Sequence, residues 1–141
     1  SLTGKDGNEQ SHLIRQEMQA AMMDHGSVFR TEQTLTQGIE AILALRERFS
    51  RVAAANRGRT FNFELMETIE LGHQLDLCEV VLTSALNRRE SRGAHFRRDF
   101  TQRNDVDWLK HTLATFGDDG EPVITFEDVK ITRYQPMERK Y

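Results

Sequence analysis

Six arginines crowd into residues 88–103: Arg88, Arg89, Arg92, Arg97, Arg98 and Arg103. Only Glu90 and Asp99 oppose them, a local excess of +4 in a chain whose net charge is −3. A guanidinium is a planar fork that grips a carboxylate or a phosphate through two parallel hydrogen bonds. Gly93 lies inside the segment and permits the positive φ that ends a helix and re-aims the chain. A helix C-terminus also favours cations. On residue types alone three uses stay open. They are a solvated basic loop after a capped helix, a loop that docks on an acidic or phosphate-bearing surface, and a nucleic-acid contact. The third fits least, because the chain is acidic overall and only Phe96 and Phe100 punctuate the loop.

Other chemistry finds no convergent set. The five histidines are His12, His25, His73, His95 and His111, and no two are spaced i,i+4. Cys78 lies five residues beyond His73, so zinc-type spacing is absent. Cys78 sits between Leu77 and Val80 in an apolar run and reads as a buried, inert thiol. As a lone cysteine it fits a reducing cytoplasm. Ser91 lacks the G-x-S-x-G frame of a nucleophile elbow and reads as a helix-end residue. The pairs Asp118-Asp119 and Glu127-Asp128 read as solvated. No G-x-G-x-x-G occurs. We therefore assign no catalytic, cofactor-binding or metal residue.

The elements that must position the basic loop follow from periodicity. Apolar content is 38% and charged content 29%, so a core has to come from amphipathic helices. Leu13, Ile14, Met18, Ala21 and Met22 form a 3.6-residue stripe over a helix at Glu9–His25, with Gly26 as its C-cap. Thr31 reads as the N-cap of a helix over Thr31–Ala55, with Leu35, Ile39, Ile42, Leu45, Phe49 and Val52 inward. Gly38 lies inside it, where a neighbour can come close. Asn62 caps a third helix, Phe63 to about Ser91, which is apolar on several sides and so reads as buried by several neighbours. Trp108–Phe116 and Pro122–Thr132, joined through Gly117–Gly120, read as a β-hairpin resting on the helices. The fold expected is mainly α: a three-helix bundle of spectrin-repeat type with a C-terminal β-hairpin and an extended tail. Residues 1–8 read as a flexible or cut end, 9–104 as the bundle with its basic loop, and 105–141 as hairpin and tail. No run approaches the ~20 apolar residues of a membrane span.

The run Asn87-Arg-Arg-Glu-Ser-Arg-Gly-Ala-His-Phe-Arg-Arg-Asp-Phe100 resembles the C-terminal helical domain of the flavoprotein subunit of succinate dehydrogenase and fumarate reductase. Val28-Phe-Arg-Thr31, Trp108-Leu-Lys-His-Thr-Leu113 and Gln135-Pro-Met-Glu-Arg-Lys-Tyr141 match the same domain in the same order. L-aspartate oxidase and adenylylsulfate reductase are similar around the Glu-Ser-Arg-Gly core. The resemblance implies a parent that oxidises succinate to fumarate with FAD, a step of the tricarboxylic acid cycle and of electron transport. It implies partners too: the flavin-binding domain of the same subunit, an iron–sulfur subunit and membrane anchor subunits, at the cytoplasmic face of a bacterial inner membrane.

The flavin-binding and capping domains of that family have no counterpart in this sequence, so the chain is expected to be non-catalytic and free of cofactor. Its role is then structural, with Arg88, Arg92, His95 and Arg97 as interdomain docking residues and no nucleic acid involved. The alternatives are the corresponding domain of L-aspartate oxidase or a related flavoprotein, and a free-standing helical adaptor for an acidic partner. Arg92 is expected to stand at the surface without a partner in this chain.

Overall fold

Two of the three helices start where a side chain takes up a free backbone N–H. The computed structural model describes residues 9–53, 58 and 60–137. Its helices are α1 (Ser11–His25), α2 (Glu32–Phe49) and α3 (Phe63–Asn87). At the head of α2 the Thr31 hydroxyl accepts from the Thr34 N–H, and the Thr34 hydroxyl accepts from the Thr31 N–H. That is a reciprocal capping box with threonine in the usual Glu position. Asn62 Oδ1 accepts from Leu65 N–H at the head of α3. Gly26 closes α1 as expected, its N–H on the Met22 carbonyl.

Helix occupies 47% of the structure, against about a third in ordinary domains, so the chain is mainly α. The core is a seam of Ile14 and Met18 from α1, Leu35, Ile42 and Leu45 from α2, and Leu71, Leu75, Leu82 and Ala85 from α3, closed at one end by Val52. Gly38 explains how tightly the seam closes. A Cβ there would lie 2.8 Å from the His25 Cβ and 3.2 Å from Leu82 Cδ1.

Element ends differ from the expected ones. The first helix begins at Ser11, because Glu9 is drawn into a parallel bridge with Val52. The second stops at Phe49 and not at Ala55. After it the backbone tightens to i→i+3 bonds, Arg51 N–H to Arg48 O and Val52 N–H to Phe49 O, which swings Val52 under the bundle. The third ends at Asn87, four residues early, since Glu90 and Ser91 are pulled inward. The several neighbours expected around α3 cover only part of it. Met66, Ile69, Leu77 and Val81 remain exposed, as do Leu13 and Met23 on α1. The tail assigned to residues 1–8 and the ends Ala54–Ala55 and 138–141 lie outside the described residues.

Two small sheets complete the fold. Phe29–Arg30 (β1) pairs in parallel with Phe96–Arg97 (β2). The pair pins the basic loop to the α1–α2 junction, and the Phe29 and Phe96 rings meet edge to face at 5.6 Å. The hairpin is Lys110–Phe116 (β3) against Pro122–Asp128 (β4), with Ala114 opposite Ile124. Trp108 precedes β3 and packs edge-on against Phe126 at 5.2 Å. The hairpin rests on α3, though Leu113, Phe116, Val123 and Phe126 keep substantial exposure.

Candidate functional site

The basic loop leaves α3 as a knot of ion pairs. At its centre is Glu90, with 0% exposure. Its carboxylate accepts from Arg88 Nη1, from Arg92 Nε at 2.9 Å and Nη2 at 3.2 Å, and from the Asn104 N–H at 3.0 Å. Burial pushes this carboxyl up, but the bonds from Arg92, Asn104 and Arg88 outweigh it and hold Glu90 below the ordinary range. Arg92 bridges on to Asp105 Oδ1 at 2.6 Å, and Arg103 grips the same carboxylate. Asp105 is thereby held at about 2, by Arg103 first and then Arg92.

Arg97 is the most deeply placed of the cluster, 1% exposed. It forks onto Asp99 at 2.8 and 2.7 Å, and Nη1 donates to the Ala85 and Leu86 carbonyls at 3.0 and 2.9 Å. The last carbonyls of a helix have no intrahelical donor, so this guanidinium caps α3 through space. Asp99, held at about 2 by the Arg97 bonds, also accepts from the Glu32 N–H at the head of α2. One ion pair thus ties the end of one helix to the start of another. Ser91 Oγ accepts from the Arg97 N–H at 2.8 Å and donates to the Phe100 carbonyl at 2.8 Å.

Arg88 turns towards the hairpin. It donates to the carbonyls of Trp108 at 3.0 Å and of Lys110, and its guanidinium lies 5.5 Å from the Trp108 ring centroid. His95 is held from both sides. Arg30 Nη1 donates to Nδ1 at 2.8 Å, which leaves Nε2–H to donate to the Arg88 carbonyl at 3.2 Å. Because arginine only donates, the tautomer is fixed and the ring neutral. Burial lowers the His95 pKa, and the nearby guanidinium of Arg30 lowers it further.

The four residues singled out from the sequence are therefore brought together, in one loop fastened to both sheets. They are not alike. Arg88 and Arg97 point inward, whereas Arg92 and His95 border an open concavity of about 850 Å³ with Gly93, Phe96, Gln102 and Arg103. Gly93, at φ +60°, makes the reversal at its rim, where Arg92 and His95 exchange N–H···O bonds at 2.8 and 3.0 Å. The expectation of a partnerless Arg92 is corrected, since Glu90 and Asp105 take up its guanidinium. The sequence reading missed Glu90, Asp99, Asp105 and Arg30 as members of the cluster. Its signal was the spacing, for each acid stands two residues from an arginine that it binds. Among the described residues no group of three His, Cys, Asp or Glu could hold a metal ion, and no helix is long and apolar enough to cross a membrane. Cys78 is half-buried, and burial raises its pKa.

The comparisons with known proteins agree with this architecture. The family described as fumarate reductase flavoprotein C-term matches residues 15–141. The fumarate reductase flavoprotein subunit of Haemophilus influenzae is 39% identical over 141 residues, all of this chain and 24% of that protein. The succinate dehydrogenase flavoprotein subunit of Rickettsia conorii is 36% identical over 96% of this chain and 24% of that protein. The solved quinol fumarate reductase of Escherichia coli superposes with a TM-score of 0.92 at 42% identity, over 97% of this chain and 24% of that one. This chain thus spans about a quarter of the length of these relatives. It belongs to the family of C-terminal domains of the succinate dehydrogenase and fumarate reductase flavoprotein subunits.

Proposed function

We propose that this domain docks onto the flavin-bearing part of a flavoprotein subunit that interconverts succinate and fumarate. The parent would hold FAD, pass electrons to or from an iron–sulfur subunit, and sit with membrane anchor subunits at the cytoplasmic face of a bacterial inner membrane. The names of the relatives support this reading. The flavin belongs to the preceding part of such a parent. This chain has no glycine-rich phosphate loop, and the arginines of its concavity are already engaged with Glu90 and Asp105.

The observation that carries the docking role is the Arg92–His95 concavity itself. It lies in the run that carries the family resemblance, and its walls are held by the pairing of Arg92 with Glu90 and Asp105 and of Arg103 with Asp105, and not left to a floppy loop. Arg92 and His95 face the partner surface. Arg88 and Arg97 act by holding the shape. Preorganisation of this kind lowers the ordering cost of association. The adaptor reading fares worse, because Glu90, Asp99 and Asp105 already pair with Arg88, Arg92, Arg97 and Arg103, four of the six arginines such an adaptor would offer.

The test fills the concavity without touching the knot. Ala94 is exposed at the rim. Ala94→Trp should leave the melting temperature of this chain unchanged. In the full-length subunit it should lower the flavin retained through gel filtration. Full flavin retention in that variant would count against docking through the concavity.

A further inference from the structure

Arg30 and His95 join the end of α1 to the end of α3. The Arg30 guanidinium is anchored first at the C-cap of α1. Its Nε donates to the Ser27 carbonyl at 2.7 Å and to the Gly26 carbonyl at 3.2 Å, and Nη2 donates to Gly26 at 2.9 Å. Nη1 then reaches His95 Nδ1 at 2.8 Å. The far side of the ring meets the carbonyl of Arg88, the C-cap of α3, at 3.2 Å. Every side-chain partner of Arg30 is thus neutral: two carbonyls and an imidazole. Burial lowers the Arg30 pKa, and among the described residues no carboxylate offsets it.

This chain of contacts works only with a neutral ring. A neutral imidazole has one lone pair to accept with, and Arg30 uses it. A protonated ring has none. Its Nδ1–H would face an arginine N–H across 2.8 Å, with two cations in contact. The charges facing the ring are Arg30 on β1, Arg97 on β2 and Arg88 at the end of α3, and all are positive. Arg92, across the turn from His95, adds another. Glu90 and Asp99, the acids of the loop, are turned onto Arg88, Arg92 and Arg97. No acid stands ready to share the added proton, so Arg30 and the ring must part. What gives way is the thinnest join in the fold. β1 and β2 pair through two residues each, Phe29 with Phe96 and Arg30 with Arg97, and Arg98 N–H closes the pair on the Arg30 carbonyl at 2.8 Å. A sheet of two short strands has little stability of its own.

We infer that the Arg30–His95 contact is an acid-released latch: a proton on His95 expels Arg30, parts β1 from β2 and frees the rim of the concavity while the three helices stay folded. The latch is internal to this chain and stands whether or not the concavity docks on a partner. If it does dock, the surface offered there keeps its shape only while His95 is neutral.

The experiment is amide hydrogen exchange by NMR on this chain, from about pH 7.5 to about pH 5, where an ordinary histidine titrates. Protection factors remove the intrinsic pH dependence of exchange. The reporter is the Arg98 N–H, and the references are the amides of Leu45 in α2 and Leu75 in α3. The expected result is that Arg98 loses protection about tenfold or more across this range while the references hold. The ring nitrogen shifts of His95 should change from the Nε2–H tautomer to the cation over the same pH interval. His95→Gln supplies an acceptor and a donor that do not titrate, so Arg98 protection in that variant should not change with pH. The same variant cancels any share from Glu79, whose raised pKa belongs to a separate contact with Arg46. Unchanged Arg98 protection while the ring titrates would overturn the latch. So would an equal loss at Arg98, Leu45 and Leu75, which is global unfolding, or the same loss in His95→Gln, which would place the titrating group elsewhere.

Discussion

The loop after α3 and the outer face of α3 invert the usual rule of inside and outside. The loop carries six arginines within residues 88–103, yet Glu90 and Arg97 are sealed from solvent. The helix face beside it carries Met66, Leu77 and Val81, and these stand open. Both departures are costly in isolation. A buried charge is tolerated only when paired and hydrogen-bonded, and the loop meets that condition at every buried member. No buried side-chain nitrogen or oxygen among the described residues lacks a partner. An exposed apolar stripe has no such internal remedy. The buried charges of the polar region are therefore satisfied within this chain, whereas the outer face of α3 keeps its apolar side chains in solvent here.

The sharpest way to break this contrast is Arg97→Met. It removes the fork on Asp99 and uncaps the Ala85 and Leu86 carbonyls together. Breaking one side of a buried pair costs about 3–5 kcal/mol. Urea unfolding of this chain should show a loss of that size. A loss under about 1 kcal/mol, the range of a surface pair, would mean that the knot is ornamental to stability.

Glu90→Gln should cost less. Its amide keeps an acceptor for one donor but loses the charge that Arg88 and Arg92 share. Hydrogen bonds to charged groups are worth about 1.5–3 kcal/mol, and Arg92 retains Asp105. The expected loss by urea unfolding lies in that range, below that of Arg97→Met.

These two residues also show what could be read from sequence. Caps were legible because a cap is local: Thr31 and Asn62 each bond three residues on. The hairpin was legible from Gly117–Gly120 and alternating apolar residues. The knot was half-legible. Arg88-x-Glu90-x-Arg92, Arg97-x-Asp99 and Arg103-x-Asp105 place each acid on the same side of an extended strand as its arginine. Counting net charge over the segment hid that pairing. Burial was not legible at all, because it depends on β1 clamping β2 across 67 residues of sequence, Phe29 to Phe96. On α3 the apolar count suggested burial, but periodicity cannot say whether the neighbour lies in the same domain.

The pH response separates His95 from the two aspartates of the knot. The folded pKa of His95 is lowered, so its contribution is complete above its ordinary value of 6.5 and is lost as pH falls through the folded value. Asp99 and Asp105 have folded values of about 2 against 3.8, so theirs is complete above about 3.8 and fades towards pH 2. Stability measured by urea unfolding should therefore fall in two stages. One group cannot give a slope steeper than about 1.4 kcal/mol per pH unit. Burial pushes Glu79 upward, with the opposite sign of slope as pH rises, so the test is a difference. Wild type minus His95→Gln should be constant above 6.5 and fall as the pH drops below it. A flat difference would mean that the imidazole is not held neutral.

The smallest expected effect is the most telling for the apolar face. Leu77→Gln replaces a side chain that is 63% exposed. Leucine and glutamine have similar helix propensity, so neither the helix nor the unfolded chain changes much. In this chain the unfolding free energy should move by no more than about 0.5 kcal/mol. Two residues away Leu75 is 1% exposed, and Leu75→Ala should cost about 2–5 kcal/mol through the cavity it leaves. A helix with both behaviours in adjacent turns is amphipathic in contact and not in composition. If Leu77→Gln costs as much as Leu75→Ala, the outer face already packs against something within this chain. If it costs nothing here but loosens the full-length subunit, the apolar character of that face serves contact with the rest of the polypeptide.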